Sequence, residues 1–318
     1  MARLRDPQQL VDALRGGDRG ALARALSLVE QGGQPARDIG RLAYPFGGHA
    51  YTVGLTGAPG AGKSTLTSAL IAELRGKGET VSVLAIDPSS PFTGGAILGD
   101  RVRMQDHALD DGVFIRSMAT RGHLGGLALA TPQAIRVLDA AGTPWVLLET
   151  VGVGQVEVEV AGAADTTVVV VNPRWGDAVQ ANKAGLLEIA DIFVINKADR
   201  PGVDETRRDL ETMLELTDLA ADAWRPPILA TVAAKGEGIS GLWDAMLAHR
   251  AHLESTGGLE RRRSARLRDE LRTIVARSLE HRAYELTSTD GFTALHEAVV
   301  ARELDPYAAA DRIIEPLT

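Results

Sequence analysis

The chain has 318 residues and no cysteine. That excludes a disulfide framework and any thiolate metal centre. Aromatic residues make up only 4% of the sequence, so the core has to be assembled from Val, Leu, Ile and Ala. No apolar run approaches the roughly 18 residues that a membrane-crossing helix requires. The opening stretch MARLRDPQQLVDALRGGD has no apolar segment of signal-peptide length. Positive charge is in deficit: 34 Lys and Arg stand against 42 Asp and Glu, a net charge of −8. A general nucleic-acid binder usually shows the opposite balance. These absences predict a cytoplasmic protein with neither a membrane nor a nucleic-acid partner.

What is present is a series of short, β-branched, nearly continuous apolar runs: 51–57, 81–87, 113–117, 145–150, 166–171, 192–197 and 227–232. Strands buried on both faces of a parallel sheet have this composition. Helical periodicity separates most of them, at 63–75, 131–141, 177–190 and 203–216. The alternation predicts an α/β fold, a doubly wound, mostly parallel sheet with right-handed crossovers. Residues 7–32 read as two short helices, with Asp18 placed to cap the second, and QGGQPARD reads as a break. One long helix is expected over 259–284, with Leu267, Leu271, Ile274, Val275 and Leu279 on an apolar stripe. A last helix is expected after Asp305. The predicted division is a helical extension over 1–44, a nucleotide-binding domain over 45–250 and a helical dimerisation segment over 251–318. The run RRRSARLR (261–268) reads as a solvated helix face rather than a nucleic-acid patch.

In a doubly wound sheet, ligands bind at the carboxyl ends of the strands. The first such end carries GAPGAGKS, which fits the phosphate-loop spacing of Gly, four residues, then Gly-Lys-Ser. Gly57, Ala58, Pro59, Gly60, Ala61, Gly62, Lys63, Ser64 and Thr65 are therefore candidate phosphate-binding residues, with Lys63 reaching the β/γ-phosphates and Ser64 ligating Mg²⁺. The positive end of the helix that follows adds to the field. A later strand ends in NKAD, the Asn-Lys-x-Asp pattern for guanine. The Asp199 carboxylate can accept from guanine N1–H and from its exocyclic amine, donors that adenine lacks in that arrangement. Lys197 can pack along the base, and Asn196 can tie the two loops together. In TVAAKGEGI, Ala233 or Ala234 would offer a backbone N–H to guanine O6. Asp87, Asp100 and Glu149 compete for roles around Mg²⁺, which takes only one or two carboxylates. ETVG (149–152) places Gly152 where its N–H can meet the γ-phosphate, and Gln155 is a candidate for orienting the attacking water.

Taken together, these motifs resemble the methylmalonyl-CoA mutase-associated GTPases of the MeaB/ArgK type, of the SIMIBI class of phosphate-loop GTPases. The resemblance is carried by GAPGAGKSTL, AIDPSSPFTGGAILGDRVRM, RSMATRGHLGGLA, ETVGVGQVEVEVAGAADT, GDAVQANKAGLLEIADIFVINKAD and AAKGEGISGLW, from about residue 54 to 243. It implies a homodimeric GTPase that uses GTP and Mg²⁺ and cleaves GTP slowly. It also implies a partner, an adenosylcobalamin-dependent acyl-CoA mutase whose cofactor loading it gates and which it protects. Lys63, Ser64, Asp87, Asp100 and Glu149 fall on the family's phosphate and metal positions, and Asn196, Lys197 and Asp199 on its base positions. Residues 172–183 match a partner-sensing switch, with Lys183 a catalytic candidate. NPRWGD departs there from a more glycine-rich pattern, so Arg174 and Trp175 either stiffen the switch, meet the partner or pack on their own domain. Two other readings compete: a nickel-inserting metallochaperone GTPase and a kinase acting on a transport protein. The missing Cys and scattered His speak against the first, and NKAD against the ATP that the second requires.

Overall fold

The computed structural model describes residues 6–87, 107, 109–119, 126–150, 162–173, 188–216, 223–287 and 290–314. Seven strands form the centre: β1 (Tyr51–Gly57), β2 (Val81–Asp87), β3 (Val113–Ala119), β4 (Trp145–Thr150), β5 (Thr166–Val171), β6 (Ile192–Asn196) and β7 (Ile228–Thr231). They form one sheet in the order β3-β2-β4-β1-β5-β6-β7, and every pairing is parallel. The helices are α1 (Pro7–Arg15), α2 (Arg19–Gln31), α3 (Gly33–Ala43), α4 (Lys63–Gly76), α5 (Gly126–Ala140), α6 (Val203–Glu215), α7 (Ile239–Ser255), α8 (Gly258–Leu286), α9 (Asp290–Val300) and α10 (Pro306–Ile314).

Successive side chains of a strand point to opposite faces, and the core divides accordingly. Leu84, Ile86, Val146 and Leu148 pack with α1, α2, α3 and α5. Val81, Val83, Trp145, Leu147, Val168 and Val170 pack with α4 and α7. Val169, Val171, Phe193 and Ile195 meet Leu210 and Leu214 of α6. The result is the three-layer α/β arrangement that the apolar runs predict. Among the described residues, no helix is long and apolar enough to cross a membrane.

Several local expectations hold and some are corrected. Asp18 caps α2, accepting from the N–H groups of Gly20 (2.8 Å) and Ala21 (3.0 Å). Asp305 accepts from Tyr307 and Ala308 at the start of α10. The stretch QGGQPARD is not a break: most of it builds α3, because Pro35 lies in the first turn, where no backbone donor is needed. The helix α9 was not anticipated. The helix expected over 177–190 lies largely outside the described residues. By contacts the chain divides into one compact unit that ends at Arg263 and a second that begins at Ser264. The helices of the 1–44 stretch share a core with the sheet.

Candidate nucleotide site

The candidate site is built on the carboxyl ends of β1, β4, β5 and β6. β1 runs into the loop that ends at Gly62, and α4 starts at Lys63. The backbone of Gly57 is in the left-handed region (φ +131°), and a Cβ there would collide with the backbone of Val170 on β5. At Gly62 (φ +91°) a Cβ would sit 2.5 Å from the Asn196 amide nitrogen. Both positions therefore require glycine for close approach as well as for conformation.

The loop's polar groups engage one another. The Lys63 ammonium donates to the carbonyls of Gly57 (2.6 Å) and Ala58 (3.3 Å), and the Ala61 N–H donates to Ala58 O (3.1 Å). Ser64 sits beside Lys63 in the first turn of α4, and both are buried. This is a helix N-terminus with a lysine and a hydroxyl in its first turn, which favours an anion.

Asn196 ties the parts together. Its amide donates to Ala61 O (2.9 Å), and its carbonyl oxygen accepts from Thr231 Oγ1 (3.1 Å) and from the Ala233 N–H (3.1 Å). One buried side chain thus joins the phosphate loop, β6 and the turn after β7. The Ala233 N–H, one of the two backbone donors expected for a base, is thus committed to Asn196. Lys197 has φ +59°, uncommon for a residue with a Cβ, and its ammonium donates to Gly60 O (2.5 Å). Asp199 is exposed, with Lys235 Nζ 3.5 Å from its carboxylate.

Glu149 is fully buried at the end of β4, opposite Leu55 of β1 and Ala85 of β2. It shares the alternation of Trp145 and Leu147, whose face is covered by α4, the helix that carries Ser64. Of the remaining candidates, Asp87 contributes its backbone to the end of β2. Asp100, Gly152, Gln155, Lys183, Arg174 and Trp175 lie outside the described residues.

The opposite rim of the sheet holds charged residues that the sequence pattern misassigned. Arg262 makes two bonds to the Asp191 carboxylate (2.9 and 2.7 Å), and that hydrogen bonding raises its pKa. Arg263 binds Asp165 (2.8 Å) and the carbonyls of Gly48 and Ala50. Two arginines of the supposed solvated face are therefore clamps on buried carboxylates. Beside them, His249 is fully buried, with Nδ1 2.8 Å from Thr166 Oγ1 and Nε2 3.3 Å from Asp191. Burial lowers its pKa to about 4, so the imidazole is neutral and the contact with Asp191 is not an ion pair. The carboxylates held by Arg262 and Arg263 lie 71 and 98 residues away, and Thr166 lies 83 residues from His249, which no local pattern reveals.

A parallel sheet with a phosphate loop after its central strand, and Asn-Lys-x-Asp two strands away, defines a GTP-binding protein of the phosphate-loop type. The comparisons place it more narrowly. The model of the family described as methylmalonyl-CoA mutase-associated GTPase MeaB matches residues 22–288. A GTPase-named protein of Pyrococcus abyssi is 51% identical over 97% of this chain and 96% of its own length. The methylmalonic aciduria type A homolog of Mus musculus, a mitochondrial protein, is 32% identical over 96% of this chain and 78% of its own. The crystal structure of a LAO/AO transport system kinase superposes with a TM-score of 0.72 at 28% identity, covering 98% of this chain and 97% of that one. The chain belongs to the MeaB family of GTPases, and as such it binds and hydrolyses guanine nucleotide.

Proposed function

We propose that this GTPase is a nucleotide-driven switch that gates cofactor loading into, and protects, an adenosylcobalamin-dependent acyl-CoA mutase, with methylmalonyl-CoA mutase the first choice. The observation that carries the reading is the family match over 22–288, whose description names that association.

In this reading the phosphates enter the loop 57–62 and displace its internal bonds. Lys63 leaves the Gly57 and Ala58 carbonyls for the β/γ-phosphates, and the first-turn N–H groups of α4 face the same charge. The Asp199 carboxylate reads guanine N1–H and the exocyclic amine, the Lys197 stem lies along the base, and Ala234 donates to O6. Ser64 and Glu149 offer an all-oxygen donor set, the kind that Mg²⁺ takes, with Asp87 and Asp100 the other candidates. Bound there, the ion would supply charge neutralisation for the phosphates. Gly152, Gln155 and Lys183 complete the proposed hydrolytic set, and 172–183 with Arg174 and Trp175 forms the segment that reports to the partner. We assign homodimerisation to the C-terminal helical segment. There Leu267, Leu271, Ile274, Val275 and Leu279 are 40–62% exposed along one chain, a stripe suited to a second copy. The expected location is the cytoplasm.

The test is binding of the purified protein to methylmalonyl-CoA mutase with GTP, with GDP and without nucleotide. A switch requires affinities that differ by about fivefold or more between states, the lower end of allosteric coupling. Equal affinity in all three conditions, or no binding, sinks the proposal.

A further inference from the structure

Two side chains from different strand ends converge on one carbonyl oxygen. Gly60, at the outer bend of the phosphate loop (φ +72°), has its carbonyl approached by Lys197 Nζ at 2.5 Å and by Asn172 Nδ2 at 3.4 Å. Lys197 follows β6 and Asn172 follows β5. Asn172 is partly buried, and its Oδ1 is a buried acceptor that makes no hydrogen bond among the described residues. A buried acceptor left unsatisfied carries a cost, and such groups in a native protein call for an explanation.

The bonds on the inner side of the loop explain what a second donor on Gly60 accomplishes. Lys63 holds Gly57 O and Ala58 O, and the Ala61 N–H holds Ala58 O. A phosphate draws these same donors toward itself, and the loop then loses the bonds that define its bend. Contacts from outside survive that exchange. One of them, Lys197, is a long and partly exposed side chain that is also expected to pack along the base. Asn172 is short and directly follows a strand whose residues Val168–Val171 are fully buried.

We propose that Asn172 is a positioning residue for the nucleotide. It pins the Gly60 carbonyl from outside, so that the loop keeps its curvature when a phosphate takes Lys63 and the Ala61 N–H. The inference rests on the reading of 57–64 as the phosphate site. Asn172 acts through the loop, so its contribution is to nucleotide affinity and not to the chemical step. Because it shares one acceptor with Lys197, the two contributions are coupled.

The experiment measures GTPase KM and kcat, GDP affinity and the thermal midpoint for Asn172→Ala, Asn172→Ser, Lys197→Ala and the double variant Asn172→Ala/Lys197→Ala. Neither Ala nor Ser at 172 reaches Gly60. Both should raise the GTP KM and weaken GDP about 2- to 12-fold, the range spanned by one neutral hydrogen bond. The kcat should change by less than about twofold, with the thermal midpoint held. The effect of Asn172→Ala should differ by at least about twofold between the wild-type and Lys197→Ala backgrounds, as residues in one network require. An unchanged KM in both single variants overturns the proposal. So does a loss confined to kcat, or strict additivity in the double variant. Lys63→Ala in the same assay separates this from the site reading. If it binds GTP as wild type does, the phosphate assignment itself fails. If it loses binding while the Asn172 variants do not, only the role of Asn172 falls.

Discussion

At their amino ends, β5 and β6 are preceded by Asp165 and Asp191, buried carboxylates whose charge is met inside the protein. Asp165 receives the Thr52 N–H (3.0 Å) and Arg263, and Asp191 receives the Thr167 N–H (2.8 Å) and Arg262. At their carboxyl ends, the same strands lead to Asn172 and to Lys197 and Asp199, whose contacts are to the carbonyl of a glycine loop and to an exposed lysine. The first rim spends its charges on itself. The second also holds Lys63 on the carbonyls of Gly57 and Ala58, which a more strongly charged ligand can replace. Charged hydrogen bonds are stronger than neutral ones, so the direction of exchange at the nucleotide rim is set: phosphate displaces carbonyl. At the opposite rim a new ligand would have to outcompete arginine–carboxylate pairs.

The sharpest way to break this contrast is Asp165→Ala. It leaves the half-buried Arg263 and the Thr52 N–H without their acceptor. Breaking one side of a buried pair costs about 3–5 kcal/mol, to be read from urea unfolding. A loss below about 1 kcal/mol would show that this rim does not hold the sheet, and nucleotide affinity should fall only as far as the fold does. The mirror experiment is Lys63→Ala. GTP turnover should drop about 100-fold or more, the scale of removing one preorganised charge donor, while the unfolding midpoint holds. Turnover within tenfold of wild type would remove Lys63 from the site. Asp199→Asn exchanges a carboxylate for an amide that matches xanthine better than guanine. Preference for GTP over xanthosine triphosphate should fall about 10- to 150-fold, the range of a charged hydrogen bond, in competition binding. Unchanged preference would refute the base assignment.

The fourth test is pH. His249 is buried and neutral, with Asp191, Arg262, His252, Thr166 and Trp224 around it, and its pKa is about 4 against 6.5 unfolded. Between these values the unfolded chain binds the extra proton, so this group's contribution is complete above about pH 6.5 and is lost as pH falls toward 4. From pH 7 to 5 the wild type should lose about 2 kcal/mol more than His249→Gln in equilibrium unfolding. Equal losses would place the titration elsewhere.

The sheet was legible because its strands are buried on both faces. TTVVVV and WVLLET match β5 and β4 to the residue, since short, nearly continuous apolar runs of strand length have few alternatives. The phosphate loop and NKAD were legible because each depends on contiguous residues. Three things were not. The helix α3 was hidden behind glycines and a proline that read as punctuation. The commitment of the Ala233 N–H to Asn196 depends on a partner 37 residues away. Arg262 and Arg263 looked like a solvated basic run because charge patterning sees neighbours along the chain, whereas their carboxylate partners sit at the amino ends of β5 and β6.

The strand order has a consequence for synthesis. β1, which carries the phosphate loop, lies between β4 and β5, both made after it. Gly57 packs on Val170, and the loop is fastened through Asn196. A chain that folds as it emerges from the ribosome exposes β1 and its glycines long before either neighbour exists. The loop cannot take its working shape until β6 has emerged, so an incomplete chain has no finished nucleotide pocket, and GTP can stabilise only a chain whose sheet has already closed around β1.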